Sequence, residues 1–560
     1  MDLSVLFNAR SPKLFRNSSA ACFFMAAAIF FCTLLSASAV QSKVPALSAT
    51  VDETPVAIPP QDPFSLVTQK ARTKAERAYK PTEMQVPDFV QALTEAQWRA
   101  LAFKPDQSPW YRLGTPFDIA FFHPGFIYNR QVAMHAISDG GHISALTFQP
   151  EMFTYTNKSL QDKVRESIPG FAGLQIIYPL NSNSSRDPIA SFLGASYFRG
   201  AGRHAQKGIH SRALALNTAL SNGEEFPYFQ EFWIETPKPE DRHVTLFALL
   251  DSPSLTGAYR FAITPGTSTI MDVEARIFLR KGAIWPQKIG MAPLTSMFLY
   301  SEMDNGRSGD YRPEVHNSDG LLFSAGENNW NWMPLTNPGR LEISSISTES
   351  LRGFGLLQRD NVFDHYQDIA NRFDQRSSVW VEPQGDWGAG RIELIQIPST
   401  EEIHDNITAF WVPDTLTPEG GQPPLALSFA YKLYWMTPGV TPHALGKVAA
   451  TRLVKNQDTA RFFIDFESDT LKSLPADVGL TSLVVAPENA PITRKQLVKN
   501  PATGGWRLSF SVKLPRQDSV VQSIITARDG SPSLRFRALL KRGENLPDPL
   551  TEEWVYDLSL

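Results

Sequence analysis

Beyond residue 39 this 560-residue chain contains no cysteine, because its only two, Cys22 and Cys32, lie in the N-terminal stretch. Thiol nucleophiles, thiolate metal sites and disulfides are therefore excluded for the remainder. An excess of basic charge is lacking too. The whole chain carries −4, and the leader holds Arg10, Lys13 and Arg16 against Asp2, which leaves the rest near −6. Nucleic acid and anionic lipid are recognised by a basic stripe, so neither is an expected partner. A neutral polymer fits better. The chain also lacks a G-x-S-x-G elbow, a Walker loop and an H-E-x-x-H pair, and no later segment is long and apolar enough to span a hydrocarbon core of roughly 30 Å. The tract Asp304–Asp310 resembles the start of a calcium loop, but Val315 stands where the bidentate Glu is required. No metal and no cofactor is expected.

The leader is the first positive feature. Arg10, Lys13 and Arg16 precede an apolar run from Ala20 to Leu35, and Ala37-Ser38-Ala39 offers a small-residue cleavage site, so a secretory signal over 1–39 and a mature start at Val40 are expected. No Arg-Arg pair precedes the run, which points to the general secretory route. Ile29, Phe30 and Phe31 before Cys32 are too bulky for a lipoprotein box.

Residues 40–61 are rich in Pro, Ala and Val and read as a linker. A helix is expected over Phe64–Ala78, with Thr82 and Thr94 as caps of shorter ones. From Phe117 onward short alternating or apolar runs sit between turn signals: Ile119–Phe122, Gln131–Ile137, Ser144–Phe148, Gly173–Tyr178, His243–Leu250, Ala258–Ile263 and Thr269–Phe278. Helices do not alternate with them, so an all-β fold with a large antiparallel sandwich over 62–412 is expected. Pro and Gly crowd 413–424, the expected linker. Seven or eight short runs over 425–560 then suit a small immunoglobulin-like β-sandwich.

With other chemistries pruned, carboxylates remain. Glycoside hydrolysis needs one carboxyl group to protonate the leaving oxygen and, in the inverting case, a second carboxylate to activate water. The stretch Tyr311–Trp411 interleaves acids, amides and indoles: Glu314, Asp319, Asp364, Asp368, Asp374, Asp386, Glu401, Glu402 and Asp405, with Trp330, Trp332, Trp380 and Trp387. Asp405 lies between His404 and Asn406 just before an apolar strand, where it either faces a groove or caps the strand as an Asx turn. Indoles stack on pyranose faces or fill cores.

The segments Tyr311-Arg-Pro-Glu-Val-His-Asn-Ser-Asp-Gly-Leu321, Gly353–Arg359, Ser378–Pro383, Ser191–Arg199, Gly290–Phe298, Trp506-Arg507 and Glu553–Tyr556 resemble the glucans biosynthesis protein G and D family of Gram-negative periplasms. The resemblance covers essentially all of the chain beyond residue 62, and the general secretory signal is closer to the G branch. It implies a galactose mutarotase-like N-terminal sandwich, an immunoglobulin-like C-terminal domain, periplasmic location and a role in osmoregulated periplasmic glucan synthesis. The implied partner is a β-1,2-glucan backbone. Some members are inverting endo-β-1,2-glucanases, and their general acid, an Asp before Asn-Ile, matches Asp405.

The family's base is the first Asp of His-Asp-Ser-Asp, and here the match is His316-Asn317-Ser318-Asp319, so the base position holds an amide. An amide does not take a proton from water at neutral pH. Asp319 and Glu314 are the candidate substitutes, while Tyr311, Arg312, His316, Trp330, Trp332 and Trp380 are candidate sugar contacts. Three readings stay open: an inverting glucanase using Asp405, a non-catalytic glucan-binding protein, and an adaptor for a membrane glucan synthase docking through the C-terminal domain.

Overall fold

Two sheets dominate the computed structural model, which describes residues 62–81, 86–304, 309–326, 328–416, 426–515, 525–526, 532–543 and 548–560. The leader, the 40–61 linker, Thr82 and most of the 413–424 linker lie outside the described residues. The fold is predominantly β.

The chain enters through the helix Pro63–Ala75, which begins where Asp62 accepts hydrogen bonds from Ser65 N at 3.0 Å and Phe64 N at 3.4 Å, with Pro63 at the first turn. Phe64, Val67, Ala71 and Ala75 recur at helical spacing and are buried against Trp233, Phe247, Leu249, Ala258 and Phe278. That cover explains why Val244–Asp251 is buried at every position and not at alternate ones. Thr94 caps Glu95–Arg99 in a capping box with Gln97, as expected.

The smaller of the two main sheets runs, in order, Asp118–Phe122, Gly173–Tyr178, Asp187–Leu193, Tyr197–Gly200, His210–Arg212, Ile289–Ser296, Ile407–Pro413, Gly390–Gln396 and Glu342–Thr348. The larger contains Ala133–Ile137, Tyr228–Glu235, Val244–Asp251, Leu255–Thr264, Thr269–Leu279, Ala426–Met436, Ser378–Gln384, Gly353–Leu357, Gly320–Ser324 and Trp330–Pro334. Between them lies an aromatic core in which Phe192 meets Phe232 and Phe261 edge-on, at 5.4 and 5.0 Å between ring centres. Strand pairing among the described residues is mostly antiparallel, while Ala133–Ile137 pairs in parallel with Tyr228–Glu235, and Trp330–Pro334 with Glu553–Ser559.

Ala426–Met436 lies beyond 413–424 in sequence, yet it is inserted between Thr269–Leu279 and Ser378–Gln384. Glu553–Ser559, Pro532–Arg542 and Leu480–Val485 then extend the same large sheet. Opposite them a four-stranded sheet, Lys447–Lys455, Thr459–Glu467, Trp506–Lys513 and Ile492–Lys499, closes a second core around Phe462, Phe510, Phe536 and Trp554.

Candidate functional site

Asp405 ends the loop before Ile407–Pro413, and its neighbour fixes it. The Asn406 side chain accepts from Phe298 N at 2.8 Å and donates to Phe298 O at 2.9 Å and Ile397 O at 3.0 Å. Loop capping thus falls to Asn406. The Asp405 carboxylate instead places Oδ2 3.1 Å from Nδ1 of His210, with the two side chains 12% and 6% exposed. His210 reaches that position because its strand pairs with Ile289–Ser296, Thr295 facing both His210 and Thr408.

Around this pair the chain has buried its own charges. The His210 Nε2 is 3.3 Å from Arg199 Nη1, and the Tyr197 ring meets the imidazole edge-on. Arg212 donates to Glu224 at 2.6 Å, and Thr218 donates to the same oxygen at 2.7 Å. Burial alone lowers the tendency of Arg212 to hold its proton, but the charges of Glu224, Tyr197 and Asp405 outweigh it and the net shift is upward. Burial pushes the Tyr197 hydroxyl up to about 12 against the opposing pull of Arg212.

Asn317 approaches the same turn from the other side. Its N–H donates to Met297 O at 2.8 Å, while His316 pairs with Phe298, so the Ser296–Phe298 segment links the Asn317 and Asp405 loops. The Asn317 Oδ1 is buried with no hydrogen-bond partner.

The substitute acids are committed elsewhere. Glu314 lies 3.0 Å from Nε2 of His316, whose Nδ1 meets Gln358 Oε1 at 2.9 Å. Burial opposes the charge on His316, but Glu314 outweighs it and pushes the imidazole up to about 9. Asp319 Oδ2 accepts from the N–H groups of Arg359 and Asp360, each at 3.0 Å, and burial raises its pKa above the usual carboxylate range. Glu314 and Asp319 line one cleft with Glu302, Asp360 and Thr451, and its volume is only about 20 Å³. A glucose ring does not enter such a space. Burial, helped by the Glu314 charge, pushes Glu302 up to about 7. Glu314, Asp360 and His365 offer ligand atoms within 4.8 Å of one another, the one group of described residues with metal-like spacing, although His316 and the Asp360–His365 contact already engage them.

Of the sugar contacts expected from sequence, Tyr311 is 77% exposed, its hydroxyl donating to Gln367 O at 3.3 Å. Arg312 pairs with Asp310 at 2.7 Å, Asp368 at 2.8 Å, and Glu402. Through Glu402 it ties the Tyr311 loop to the 401–405 loop. His316 is fully buried and touches no solvent. Trp332 and Trp380, each 4% exposed, are core residues and not stacking platforms, because they lie flat over glycines: a Cβ at Gly320 would fall 2.0 Å from Trp332, and one at Gly353 2.3 Å from Trp380. Half-buried Trp330 packs on Trp380 and His443.

His210, Arg199, Arg212 and Tyr197 were not candidates from sequence. The short polar run His210-Ser-Arg212, which the structure buries at all three positions, is the signal for two of them, while Tyr197 and Arg199 close the Ser191–Arg199 segment.

These features define a β-sheet protein whose candidate site holds an anchored carboxylate, Asp405, paired with a buried imidazole. The family model for the periplasmic glucan biosynthesis protein MdoG matches residues 63–558, and the chain belongs to that family. It is 41% identical over 479 residues to glucans biosynthesis protein G of Ralstonia nicotianae, covering 84% of this chain and 93% of that protein. It is 39% identical over 525 residues to the protein of the same name in Sodalis glossinidius, covering 91% and 96%. For Pseudomonas paraeruginosa the identity is 37% over 505 residues, covering 88% and 92%.

Proposed function

We propose that the protein is exported to the periplasm and acts there in osmoregulated periplasmic glucan biosynthesis, binding the β-1,2-glucan backbone across the Tyr311–Asp405 face and cleaving it slowly with inversion. In this reading the N-terminal sandwich is galactose mutarotase-like and the C-terminal sheets form an immunoglobulin-like unit. The exposed edge strand Ile492–Lys499 offers a docking surface for a membrane glucan synthase. The observation that carries the reading is Asp405 itself, held in place by Asn406 with one oxygen toward His210 and tied through the 401–405 loop to exposed Tyr311. As general acid it delivers a proton to the leaving glycosidic oxygen while water attacks the opposite face of the sugar. Asn317 can orient that water by hydrogen bonding but cannot accept its proton, so turnover is slow.

A second reading, glucan binding without cleavage, is favoured by one specific observation: Glu314 and Asp319 line a cleft of about 20 Å³ and are engaged there by His316 and by backbone N–H groups. Replacing Asp405 by Asn separates the two. Under hydrolysis the variant binds linear β-1,2-glucan with little change and releases no oligosaccharides, since the proton donor acts in the transition state. Undiminished cleavage by the variant removes Asp405 from the acid role.

A further inference from the structure

We propose that His210 is the positioning residue of Asp405 and that Arg199 sets its tautomer; the catalytic part of this inference rests on Asp405 being the general acid. A guanidinium has N–H donors and no acceptor, and Arg199 Nη1 lies 3.3 Å from Nε2 of His210. The only complementary arrangement gives Nε2 the lone pair. The ring's single proton then sits on Nδ1, which is 3.1 Å from Asp405 Oδ2. A doubly protonated ring would turn an N–H against the guanidinium.

The ring is 5% exposed and flanked by Tyr197 and by the strand partner Thr295, so it is not itself placed to touch a sugar. The charged and titratable groups around it are Arg199, Asp405, Tyr197 and, through Tyr197, Arg212 with Glu224. In the free protein the Nδ1 proton is not aligned on Oδ2, and Nδ1 is left without a full hydrogen bond. Such contacts commonly tighten in the substrate complex.

Once that contact tightens, the Nδ1–H reserves Oδ2 as an acceptor. The acidic proton of Asp405 is therefore carried on Oδ1, turned away from the imidazole and toward the leaving group. On reaction the Oδ1–H bond breaks and a new O–H bond forms on the departing glycosidic oxygen, whose bond to the anomeric carbon breaks as water adds there and passes its extra proton to solvent water, the base position being an amide. His210 keeps its proton throughout and faces the carboxylate charge that has just formed.

The test has a spectroscopic arm and a kinetic arm. Long-range proton–nitrogen spectra of the full mature protein labelled with 15N-histidine, with His210 assigned by its loss in His210→Asn, are expected to show Nδ1 protonated and Nε2 bare. Arg199→Leu is expected to admit both tautomers. An Nε2-protonated or doubly protonated His210 ring in the parent overturns the inference. On linear β-1,2-glucan, His210→Leu should lose about 10²-fold in kcat with KM little changed, the scale of a misplaced catalytic group. His210→Asn, whose amide N–H replaces the Nδ1–H, should recover most of that loss. An Asn variant no better than Leu, or a loss confined to KM, overturns the positioning role. If the parent releases no product while its ring shows the expected tautomer, the glucanase reading fails and the ring assignment stands.

Discussion

Glu552 is buried completely and serves four donors, which makes its replacement a quantitative test of how the C-terminal strands hold the site. Oε1 accepts from Arg359 Nη1 and from Val448 N at 2.7 Å, and Oε2 accepts from Arg359 Nη2 at 2.8 Å and His443 Nε2 at 2.9 Å. Arg359 lies 3.5 Å over the Trp332 ring, and its own N–H is one of the two that hold Asp319. Burial alone would raise the Glu552 carboxyl, but the Arg359 charge and the His443 hydrogen bond outweigh it and bring it down to about 2 from an ordinary 4.5. At about 1.4 kcal/mol per pKa unit that shift corresponds to roughly 3 kcal/mol. In Glu552→Gln the amide cannot satisfy the site, since either orientation sets an NH2 group against two donors. Removing one partner of a buried pair costs about 3–5 kcal/mol, so the two estimates agree. The assay is urea denaturation followed by tryptophan fluorescence at pH 7, then at lower pH. Because folding depresses this carboxyl, its contribution is complete above pH 4.5 and is lost as pH falls toward 2. The variant should be destabilised by about 3–5 kcal/mol at pH 7, with the gap closing under acid. A loss below about 1 kcal/mol at pH 7 would refute the reasoning.

Two further predictions come from neighbouring charges. Glu302 has the opposite sign, because folding raises it to about 7, so its ionisation destabilises the fold progressively from pH 4.5 to 7. Glu302→Gln should match the parent below pH 4.5 and exceed it by up to about 3 kcal/mol at pH 8; parallel melting curves at the two pH values check this, and equal stability at pH 8 refutes it. Arg312→Met leaves Asp310, Asp368 and Glu402 without their shared cation. It should raise hydrogen exchange in the 309–314 and 401–405 loops and weaken glucan binding by about 1–3 kcal/mol, whereas unchanged exchange at 401–405 breaks the proposed link between Tyr311 and Asp405.

How far the residues announce this arrangement differs from element to element. Gly173–Tyr178 forms as expected because its short apolar run is bounded by turn signals. Thr94 caps a helix as its local chemistry requires. The helix Lys158–Ser167 turns only Leu160 and Val164 toward the core, too brief an apolar period to announce it, and Ile492–Lys499 lacks alternation because none of its residues is fully buried. Pro and Gly content marks 413–424 as a break, but no local signal says that the next strand returns to the earlier sheet. In the proposed site, Asp405 draws attention through its His-Asp-Asn-Ile setting. Its partner His210 lies far away in sequence and is brought near by strand pairing through Ile289–Ser296. An indole's identity does not tell whether it faces solvent, and Trp332 and Trp380 lie buried because glycines opposite make room for them.

The most direct test is to incubate the mature protein and its Asn317→Asp variant with linear β-1,2-glucan and resolve the products by chromatography. Asn and Asp are nearly isosteric, and Asn317 Oδ1 is buried without a partner, so the variant keeps the loop while regaining a proton acceptor. A general base is worth about 10²–10⁴ in rate. The account predicts a slow endo-type oligosaccharide series from the parent and a series faster by that order from the variant, with similar glucan affinity. Absence of oligosaccharides from both proteins, with glucan still bound, would contradict it.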